Sequence, residues 1–360
     1  MRKLANKDTI IKDQHAVVET LFKKKSSKKS SIGKSAPLHS STAILADNKS
    51  GYKTGVEYST NTQNSDSFAD YTLSRIKNLT TDFGMKQNLC GNQDLNIYAL
   101  DDNATALVIM CEHYALTREK TDLELIDIYL NFIQYCLQPT GYFFKYVDVE
   151  KKFTEDNNDV NLADTTGCAI WALGYLISKK KMLPEAIVTK AEAMFQEALI
   201  GIKKIHSVHA ISYIIKGLHY NNTQNETIEG VWLIKQCANI LVSLYKDVEN
   251  NNWKWFQSTI TVESSLISEA LLCAWLTTGE PAYRQISKIS FDFLLSKVFK
   301  NDDQDSFLEE EKMFEGKSST QINTIIFALN TFHKVFKEDD YLLKLKRSSE
   351  WLQWNKFMQV

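Results

Sequence analysis

Proline and glycine are scarce in this chain, with only four prolines and thirteen glycines among 360 residues. Turn-rich β architectures use both residues at many turns, so this composition predicts an all-α fold instead. The chain also lacks the roughly 18 consecutive apolar residues that a membrane helix needs. Its N-terminus has no apolar stretch followed by a small-residue cleavage site, which a secretory leader would show. We therefore expect a soluble, cytoplasmic protein without a membrane span.

The six cysteines occur singly, and most fall within apolar helical runs. No Cys-x-x-Cys and no Cys-His pair is present, so the sequence offers no ligand pattern for a zinc site. Walker, dinucleotide-binding and Gly-x-Ser-x-Gly patterns are missing as well. We expect buried free thiols in a reducing compartment, with neither a metal nor a cofactor.

The net charge of −2 is unevenly distributed, because residues 1–34 hold ten Lys/Arg and three Asp/Glu and so carry +7. The remaining residues therefore carry −9 and present no basic field for nucleic acid. Residues 23–66 are rich in Lys, Ser, Thr and Asn, and bury too little apolar surface to offset their ordering entropy. We predict a mostly disordered tail over 1–66, with one short helix at 8–22, and a single folded domain over 67–360.

Within this domain, five helices that are apolar around most of their circumference are each followed by a more amphipathic helix. An all-round apolar helix must be buried on both sides, so the pattern predicts hairpins with a buried inner and an amphipathic outer helix. The five units start 41 to 64 residues apart, which is too irregular for a TPR or HEAT array. This spacing favours a closed (α/α) toroid. The five apolar stretches are 104–120, 168–181, 209–222, 268–283 and 323–341.

With a further helix near 67–80, the count reaches eleven, one fewer than six hairpins require. The helix at 8–22 could supply the twelfth. Without it the ring is incomplete and would leave an apolar flank that needs a partner.

Three stretches carry a resemblance to a known family: YALDDNATALVIM (98–110), DTTGCAIWALGYL (164–176) and WKWFQSTITVESSLISEALLCAWLTTGE (253–280). The chain resembles the six-hairpin glycosidase-type (α/α) toroids, in particular the helical domains associated with bacterial glycosyltransferases. The resemblance implies a cleft that holds a glycan or small sugar, and a glycosyltransferase as partner. It also implies an Arg at position 105, an acid at 163 and an Arg at 168, where this chain has Thr105, Ala163 and Cys168.

Asp101 and Asp102 stand side by side where the first apolar helix begins. One of them could be the N-cap of a helix over 103–118, accepting a backbone N–H. That role explains one carboxylate and leaves the other for a pocket. Two neighbouring carboxylates raise each other's pKa, which is how a general acid is made. Both interpretations remain open.

The loop over 145–167 carries several acids between two core helices, and in a toroid it would lie at the same mouth as Asp101. Glycoside hydrolysis needs two carboxylates, and Asp102 with Asp164, or with Glu155, could form such a pair. Asp164 could instead cap a helix over 165–178, and loop acids are ordinarily solvated.

Aromatic and further polar residues complete the candidate sugar site. Trp253 and Trp255 could stack on sugar rings or fill the core. His209 fits a cleft wall or the core, because His206, three residues away, has no companion ligand that would complete a metal site. Glu263 precedes its helix as a cap or as a cleft acid.

Two functions therefore stay open. The first is a carbohydrate-active enzyme, glycoside hydrolase-like, in which Asp102 and Asp164 are catalytic. Its substrate contacts would come from Asp101, Glu155, His209, Trp253, Trp255 and Glu263. The second is a catalytically decayed glycan-binding or scaffolding partner of a glycosyltransferase.

Overall fold

The computed structural model describes residues 73–87, 96–299 and 319–354. The predicted tail over 1–66 and its helix at 8–22 lie outside this part, as does the start of the helix predicted near 67–80. In the described part no helix is long and apolar enough to cross a membrane.

Eleven α-helices and one pair of short strands make up the described residues. The helices are α1 (73–79), α2 (Leu100–Thr117), α3 (Lys120–Cys136), α4 (Leu162–Ser178), α5 (Glu185–Leu199), α6 (Val208–Asn222), α7 (Ile228–Val248), α8 (Ser265–Thr278), α9 (Pro281–Val298), α10 (Ser319–Phe336) and α11 (Asp339–Trp354). The strands are β1 (Ile97–Ala99) and β2 (Tyr146–Asp148), and three short 3-10 helices lie at Glu155–Asn158, Ile202–Lys204 and Val262–Ser264.

From α2 to α11 the helices pair into five hairpins, each with an inner helix followed by an outer one. The inner helices α2, α4, α6, α8 and α10 contact one another in that order, and α10 also contacts α2, so they surround one axis. The burial follows the sequence pattern, because α4 and α8 are buried around most of their circumference whereas α3 and α7 bury one face. The predicted all-α (α/α) toroid is confirmed.

The α4–α6 contact is the closest helix packing that the glycines reveal. A Cβ added to Gly174 would lie 2.2 Å from the carbonyl oxygen of Gly217, and one added to Gly217 would lie 2.5 Å from that of Ile170. Atoms at such distances overlap, so only glycine permits this approach. The two helices therefore meet backbone to backbone.

The strands tie the loop after α3 to the start of α2. They pair antiparallel, with Tyr98 opposite Val147, and the Leu100 N–H continues the pairing by donating to the Lys145 carbonyl at 2.9 Å. Asn103, fully buried, accepts from the Met85 N–H at 2.7 Å and donates to the carbonyls of Met85 and Ala99. These bonds fix the entry into α2 and, with it, the direction of its first side chains.

The described cysteines all carry free thiols, and four of the five are buried, as the sequence predicts. They are Cys111, Cys136, Cys168, Cys237 and Cys273. Cys90 lies outside the described residues.

Candidate functional site

The mouth of the toroid is the end where the inner helices begin. Because each hairpin reverses direction, the inner helices run parallel, and the loops that precede them gather at this end. These loops cover 137–161, 200–207 and 249–264. The acids at the start of α2 and α4 therefore share one end of the ring with the loop over 145–159.

Each inner helix turns a line of side chains toward the axis, at the spacing that places residues on one helical face. Ring contacts between helices identify these lines: Trp171 of α4 packs on Tyr213 of α6 at 5.6 Å between centroids, and on Phe327 of α10 at 5.5 Å. Since α2 lies between α4 and α10 in the ring, the contact with Phe327 crosses the interior. By this spacing, the Tyr213 face of α6 also carries His209, Lys216 and Tyr220, the Trp171 face of α4 carries Cys168 and Tyr175, and the Phe327 face of α10 carries Thr331 and Lys334. Glu269 of α8 contacts Lys216 and therefore faces the same interior.

An ion pair marks the mouth. The Lys145 ammonium lies 2.8 Å from Oδ2 of Asp101, and both side chains are about a quarter exposed (25% and 28%). The β1–β2 pairing brings Lys145 there, because Lys145 directly precedes β2 and Asp101 follows β1 by two residues. Burial opposes the charge on Lys145, but Asp101 outweighs it and raises the pKa of this ammonium. Lys145 therefore stays charged at neutral pH.

Tyr213 occupies the centre of this region. Burial raises the pKa of its hydroxyl well above the usual range, and the nearby Cys168, Asp101, Glu269 and Glu263 raise it further. These neighbours belong to α4, to α2, to α8 and to the loop before α8, so the Tyr213 hydroxyl faces side chains from several directions. It remains a neutral hydrogen-bond donor at physiological pH.

Several buried polar atoms of the mouth and axis have no hydrogen-bond partner among the described residues, and they include Oδ1 of Asp101, Nε2 of His209 and Nε1 of Trp171. His209 lies one helical turn before Tyr213 on α6. A buried polar atom without a partner costs about 1–3 kcal/mol, so several of them near one place call for a binding role. These three atoms offer one acceptor, one donor and one imidazole nitrogen.

Asp102 differs from the prediction in its place along the helix. The helix begins at Leu100 rather than at residue 103, and its N-cap is Ala99, so neither Asp101 nor Asp102 is the cap. Both acids lie in the first turn and face the positive helix end. Asp102 is half-buried, and its carboxylate contributes to raising the pKa of Cys168, after burial and Asp101.

Asp164 is held by the next inner helix. Its Oδ1 accepts from the Ser207 hydroxyl and from the Ala210 N–H at 3.1 Å, at the start of α6. The cap of α4 itself is Asn161, whose side chain accepts from the Ala163 N–H, so the expectation that Asp164 caps its own helix is wrong. Asp164 instead links the start of α4 to the start of α6.

This link gives a stability prediction. Asp164→Ala removes an acceptor from the first turn of α6 and should lower the free energy of unfolding by about 1–2 kcal/mol, the usual cost of a lost cap. Urea unfolding followed by circular dichroism measures it. Asp156→Ala, at an exposed position of the same loop, should change stability by less than about 0.5 kcal/mol. Equal stability of the two variants would rule out the capping role.

The loop tryptophans lie away from the axis. Trp255 is fully buried beside Phe256, so it belongs to the core. Trp253 packs edge-on against Phe293 of the outer helix α9, at 5.4 Å, and its Nε1 donates to the Gln257 carbonyl at 2.8 Å. Of the two interpretations that the sequence left open, packing describes both residues.

The two other acids that the sequence predicts as substrate contacts, Glu263 and Glu155, lie in different places. Glu263 is half-buried at the mouth and lies within electrostatic range of Tyr213. Glu155 is exposed on its 3-10 helix. Its neighbour Asn157 organises this loop, accepting from the N–H groups of Lys145 and Tyr146 at 2.7 and 3.0 Å. The structure thus gathers Asp101, Asp102, His209 and Glu263 at the mouth, and leaves Glu155 at the surface.

A groove of about 690 Å³ adjoins the mouth at the starts of α4 and α6. Aromatic, amide and imidazole side chains form about half of its walls, and aliphatic residues, one lysine and one serine form the rest: Tyr142, Phe144, Asn157, Asn158, Asn161 and His206, with Val160, Leu162, Ala163, Lys204 and Ser207. Rings and amides are the groups that contact the C–H faces and the hydroxyls of sugars.

Below the mouth, an axial plug closes the interior. We use this name for Lys216, Glu269, Trp171 and Phe327. The Lys216 ammonium lies 2.7 Å from Oε2 of Glu269, at exposures of 2% and 1%, and 4.7 Å from the centre of the Trp171 ring. Oε1 of Glu269 accepts from the Thr331 hydroxyl at 2.8 Å. The plug separates the mouth from the end where the inner helices finish.

One group of potential metal ligands occurs in the described part, at the turn between α2 and α3: His113, Glu119 and Asp122. Nδ1 of His113 lies 2.7 Å from Oδ2 of the fully buried Asp122, and the Thr117 hydroxyl donates to the same oxygen at 3.3 Å. These bonds fasten the turn of the hairpin, away from the mouth.

Comparison with known proteins identifies the fold. No protein-family model matches the sequence, and no curated protein matches it. Among solved structures, a D-mannose isomerase aligns with a TM-score of 0.56, 12% identity, and coverage of 79% of this chain and 85% of that chain. Cellobiose 2-epimerase from Bacillus thermoamylovorans B4167 aligns with a TM-score of 0.54 and 12% identity, over 80% of this chain and 86% of that chain. A sugar epimerase from a ruminal bacterium aligns with a TM-score of 0.52 and 12% identity, over 78% of this chain and 82% of that chain. At this identity the likeness shows the (α/α) toroid fold.

Proposed function

We propose that the protein binds a sugar at the mouth and transfers a proton at the carbon beside its carbonyl group, as a sugar isomerase or epimerase does. The observation that carries the proposal is the set of unpartnered buried polar atoms of Asp101, His209 and Trp171 around Tyr213. A sugar supplies many hydroxyls to such atoms. The structures with this fold are named as enzymes that isomerise or epimerise sugars, which supports the same class.

His209 is the residue that we assign to proton transfer. Its Nε2 is buried and has no hydrogen-bond partner in the part of the chain that the structure describes, and His209 lies one helical turn before Tyr213. Imidazole exchanges protons near neutral pH, which suits removal of a proton from carbon and its return. The transfer leaves the carbonyl oxygen with negative charge until the proton returns to the same or the adjacent carbon.

Lys145 and Tyr213 suit the stabilisation of that oxygen. Asp101 raises the pKa of the Lys145 ammonium despite its burial, and burial raises the pKa of the Tyr213 hydroxyl, so both groups carry protons at neutral pH. Donors that are already in place stabilise a developing oxyanion without reorganisation. The adjoining groove would hold a second sugar unit or a substituent.

Glycosidic-bond cleavage by Asp102 and Asp164 is the weaker assignment. Oδ1 of Asp164 accepts two hydrogen bonds at the start of α6, and its Oδ2 accepts from the Asn161 amide at 3.2 Å. These bonds hold the Asp164 carboxylate against the starts of α4 and α6, where it links the two helices. Asp102 remains a proposed sugar contact.

The second candidate is the non-catalytic glycan-binding partner of a glycosyltransferase. The observation in its favour is that Thr105 and Cys168 stand where the resemblance places cations. Thr105 is buried and donates to the Asp101 carbonyl at 2.8 Å, and Cys168 is buried as well.

Solvent exchange tests the proposal. Incubation with D-mannose or cellobiose in D₂O, followed by proton NMR, should show deuterium entering the carbon beside the carbonyl, together with the isomer or epimer. His209→Asn should slow the exchange by about 100-fold or more, the contribution of a general base. His333→Asn, half-buried in the last turn of α10 and so at the other end of the ring, is the matched control and should retain activity.

Binding measured by saturation-transfer NMR on the same sugars separates the candidates. Binding without exchange would support the non-catalytic candidate and refute proton transfer. If neither sugar nor a wider panel of aldoses and disaccharides binds, the sugar proposal itself fails.

A further inference from the structure

A second cavity lies on the axis at the far side of the axial plug, where the inner helices end. It has a volume of about 50 Å³, and every inner helix of the described part contributes to its wall. We call it the distal cavity. Its polar and charged lining is Glu112, Tyr175, Ser178, Lys179, His219, Tyr220, Thr331 and Lys334.

One carboxylate in the distal cavity is already neutralised. Oε2 of Glu112 lies 2.6 Å from the Lys179 ammonium and accepts from the Tyr175 hydroxyl as well. Burial disfavours the charged carboxylate, yet Lys179 and Lys334 overcome it and lower the pKa of Glu112. Glu112 and Lys179 are therefore a complete ion pair.

Lys334 is the cation that remains. It makes no hydrogen bond and no ion pair with any residue that the structure describes, although it lines the same cavity as the Glu112–Lys179 pair. Burial is the main cause that lowers the pKa of its ammonium, to about 8. The Glu112 and Glu269 carboxylates oppose this shift, whereas Lys179 and Lys337 add to it. Among the described residues that line the distal cavity, positive charge thus exceeds negative charge by one at neutral pH.

The Tyr220 hydroxyl is a second donor on this wall. Its ring packs edge-on against Tyr175 at 4.8 Å, and its hydroxyl has no hydrogen-bond partner among the described residues. Burial raises the pKa of this hydroxyl well above its usual range, and Cys273 and Glu269 add to the effect, so it stays protonated. Two donors, one of them charged, therefore lack an acceptor.

We infer that the distal cavity binds a small oxyanion, a carboxylate or phosphate-type group, between the Lys334 ammonium and the Tyr220 hydroxyl. Lys334 and Tyr220 are both half-buried on the wall of the cavity, and an anion between them would neutralise the positive charge and accept from both donors. The volume of about 50 Å³ fits one such group rather than a whole nucleotide. Any larger remainder of the ligand would extend from the end face of the ring.

The competing explanation is that the carbonyl ends of the helices alone balance Lys334, which lies in the last turn of α10. Helix C-termini favour cations by about 0.3–1 kcal/mol each. That explanation requires no anion and predicts that none binds. The two can therefore be told apart by titration.

Isothermal titration calorimetry with sulfate and with acetate tests the site, since neither anion changes its charge between about pH 7 and 9. One tetrahedral and one planar anion distinguish a phosphate-type site from a carboxylate site. Lys334→Gln should weaken binding at least tenfold. Lys346→Gln, which removes an exposed lysine from α11, should leave binding unchanged.

The pH dependence supplies an independent readout. An anion that needs a charged Lys334 binds the fraction of protein in which this group is protonated. With a pKa of about 8, that fraction falls about tenfold between pH 7 and 9, and the affinity should fall with it. Lys334→Arg, charged throughout this range, should bind with no such loss.

Lys334→Gln is expected to fold, because it removes a desolvated charge and leaves the Glu112–Lys179 pair intact; circular dichroism checks this. Equal binding by wild type and folded Lys334→Gln would overturn the inference, as would the absence of binding of both anions. Sugar exchange at the mouth involves none of these residues, so this inference and the proposed function can fail separately.

Discussion

Lys216→Met is expected to lower the free energy of unfolding by about 3–5 kcal/mol. The substitution keeps the length of the side chain but leaves the Glu269 carboxylate, 1% exposed, with the Thr331 hydroxyl as its remaining partner. An uncompensated charge at a buried position has a cost of this size. Chemical denaturation at pH about 7 gives the value directly.

A double variant separates the charge from the packing. Lys216→Met combined with Glu269→Leu removes both charges and should recover most of the loss, because buried ion pairs are often replaceable by apolar residues. Lys152→Met, from an exposed pair with Glu150 at 72% and 69% exposure, should change stability by less than about 1 kcal/mol. If Lys216→Met is as mild as Lys152→Met, Glu269 is not a buried unpaired charge in that variant.

Gly217→Ala should be strongly destabilising, as should Gly174→Ala on the facing helix, because each added methyl group would overlap backbone atoms. The Cβ added at Gly217 would meet the Ile170 carbonyl oxygen at 2.5 Å, and backbone cannot rotate away as a side chain does. The helices α4 and α6 would have to separate, which should cost about 3 kcal/mol or prevent folding, at the upper end of overpacking effects. Thermal unfolding and yield of folded protein measure it.

Gly279→Ala is the instructive comparison for this variant. Gly279 ends α8 with φ of +73°, a conformation that disfavours alanine, but an added Cβ would meet nothing within 4 Å. Its replacement should cost only about 1 kcal/mol. If Gly279→Ala were the worse of the two, the close contact of α4 and α6 would not be real.

The hairpins could be predicted from the sequence because a buried helix and an outer helix differ in how their apolar residues are distributed. A helix that is apolar all round, as in CAIWALGYLISKKK, must be surrounded, and its amphipathic successor must lie outside it. The residues at which helices begin were harder to predict from the sequence. The acids at 101 and 102 look like caps, but the β1–β2 pairing carries the chain into helix three residues earlier than their position suggests.

The site was only partly predictable, for a related reason. Local patterns indicated Asp101, Asp102, His209 and Glu263, which lie at helix starts that the topology gathers together. They could not indicate Lys145, which reaches Asp101 through strand pairing across 44 residues of chain.

The axial plug did have a signal in the sequence. Lys216 and Glu269 are single charged residues inside otherwise apolar helical stretches, ISYIIKGL and SEALLCAW. Charged side chains are almost never fully buried unless they are paired, so each of them required a partner of opposite charge within the ring. Matching the two would have placed α6 beside α8. Trp171 and Tyr213 gave no such signal, because aromatic residues are common in any core.

The axial plug also decides how molecules reach the protein. With Trp171, Phe327 and the Lys216–Glu269 pair filling the described interior, the toroid is not a conduit. A solute that enters the toroid from one end must therefore leave through the same end. The mouth and the distal cavity are therefore reached from opposite faces of the ring. An inhibitor that blocks one of them would leave binding at the other unchanged.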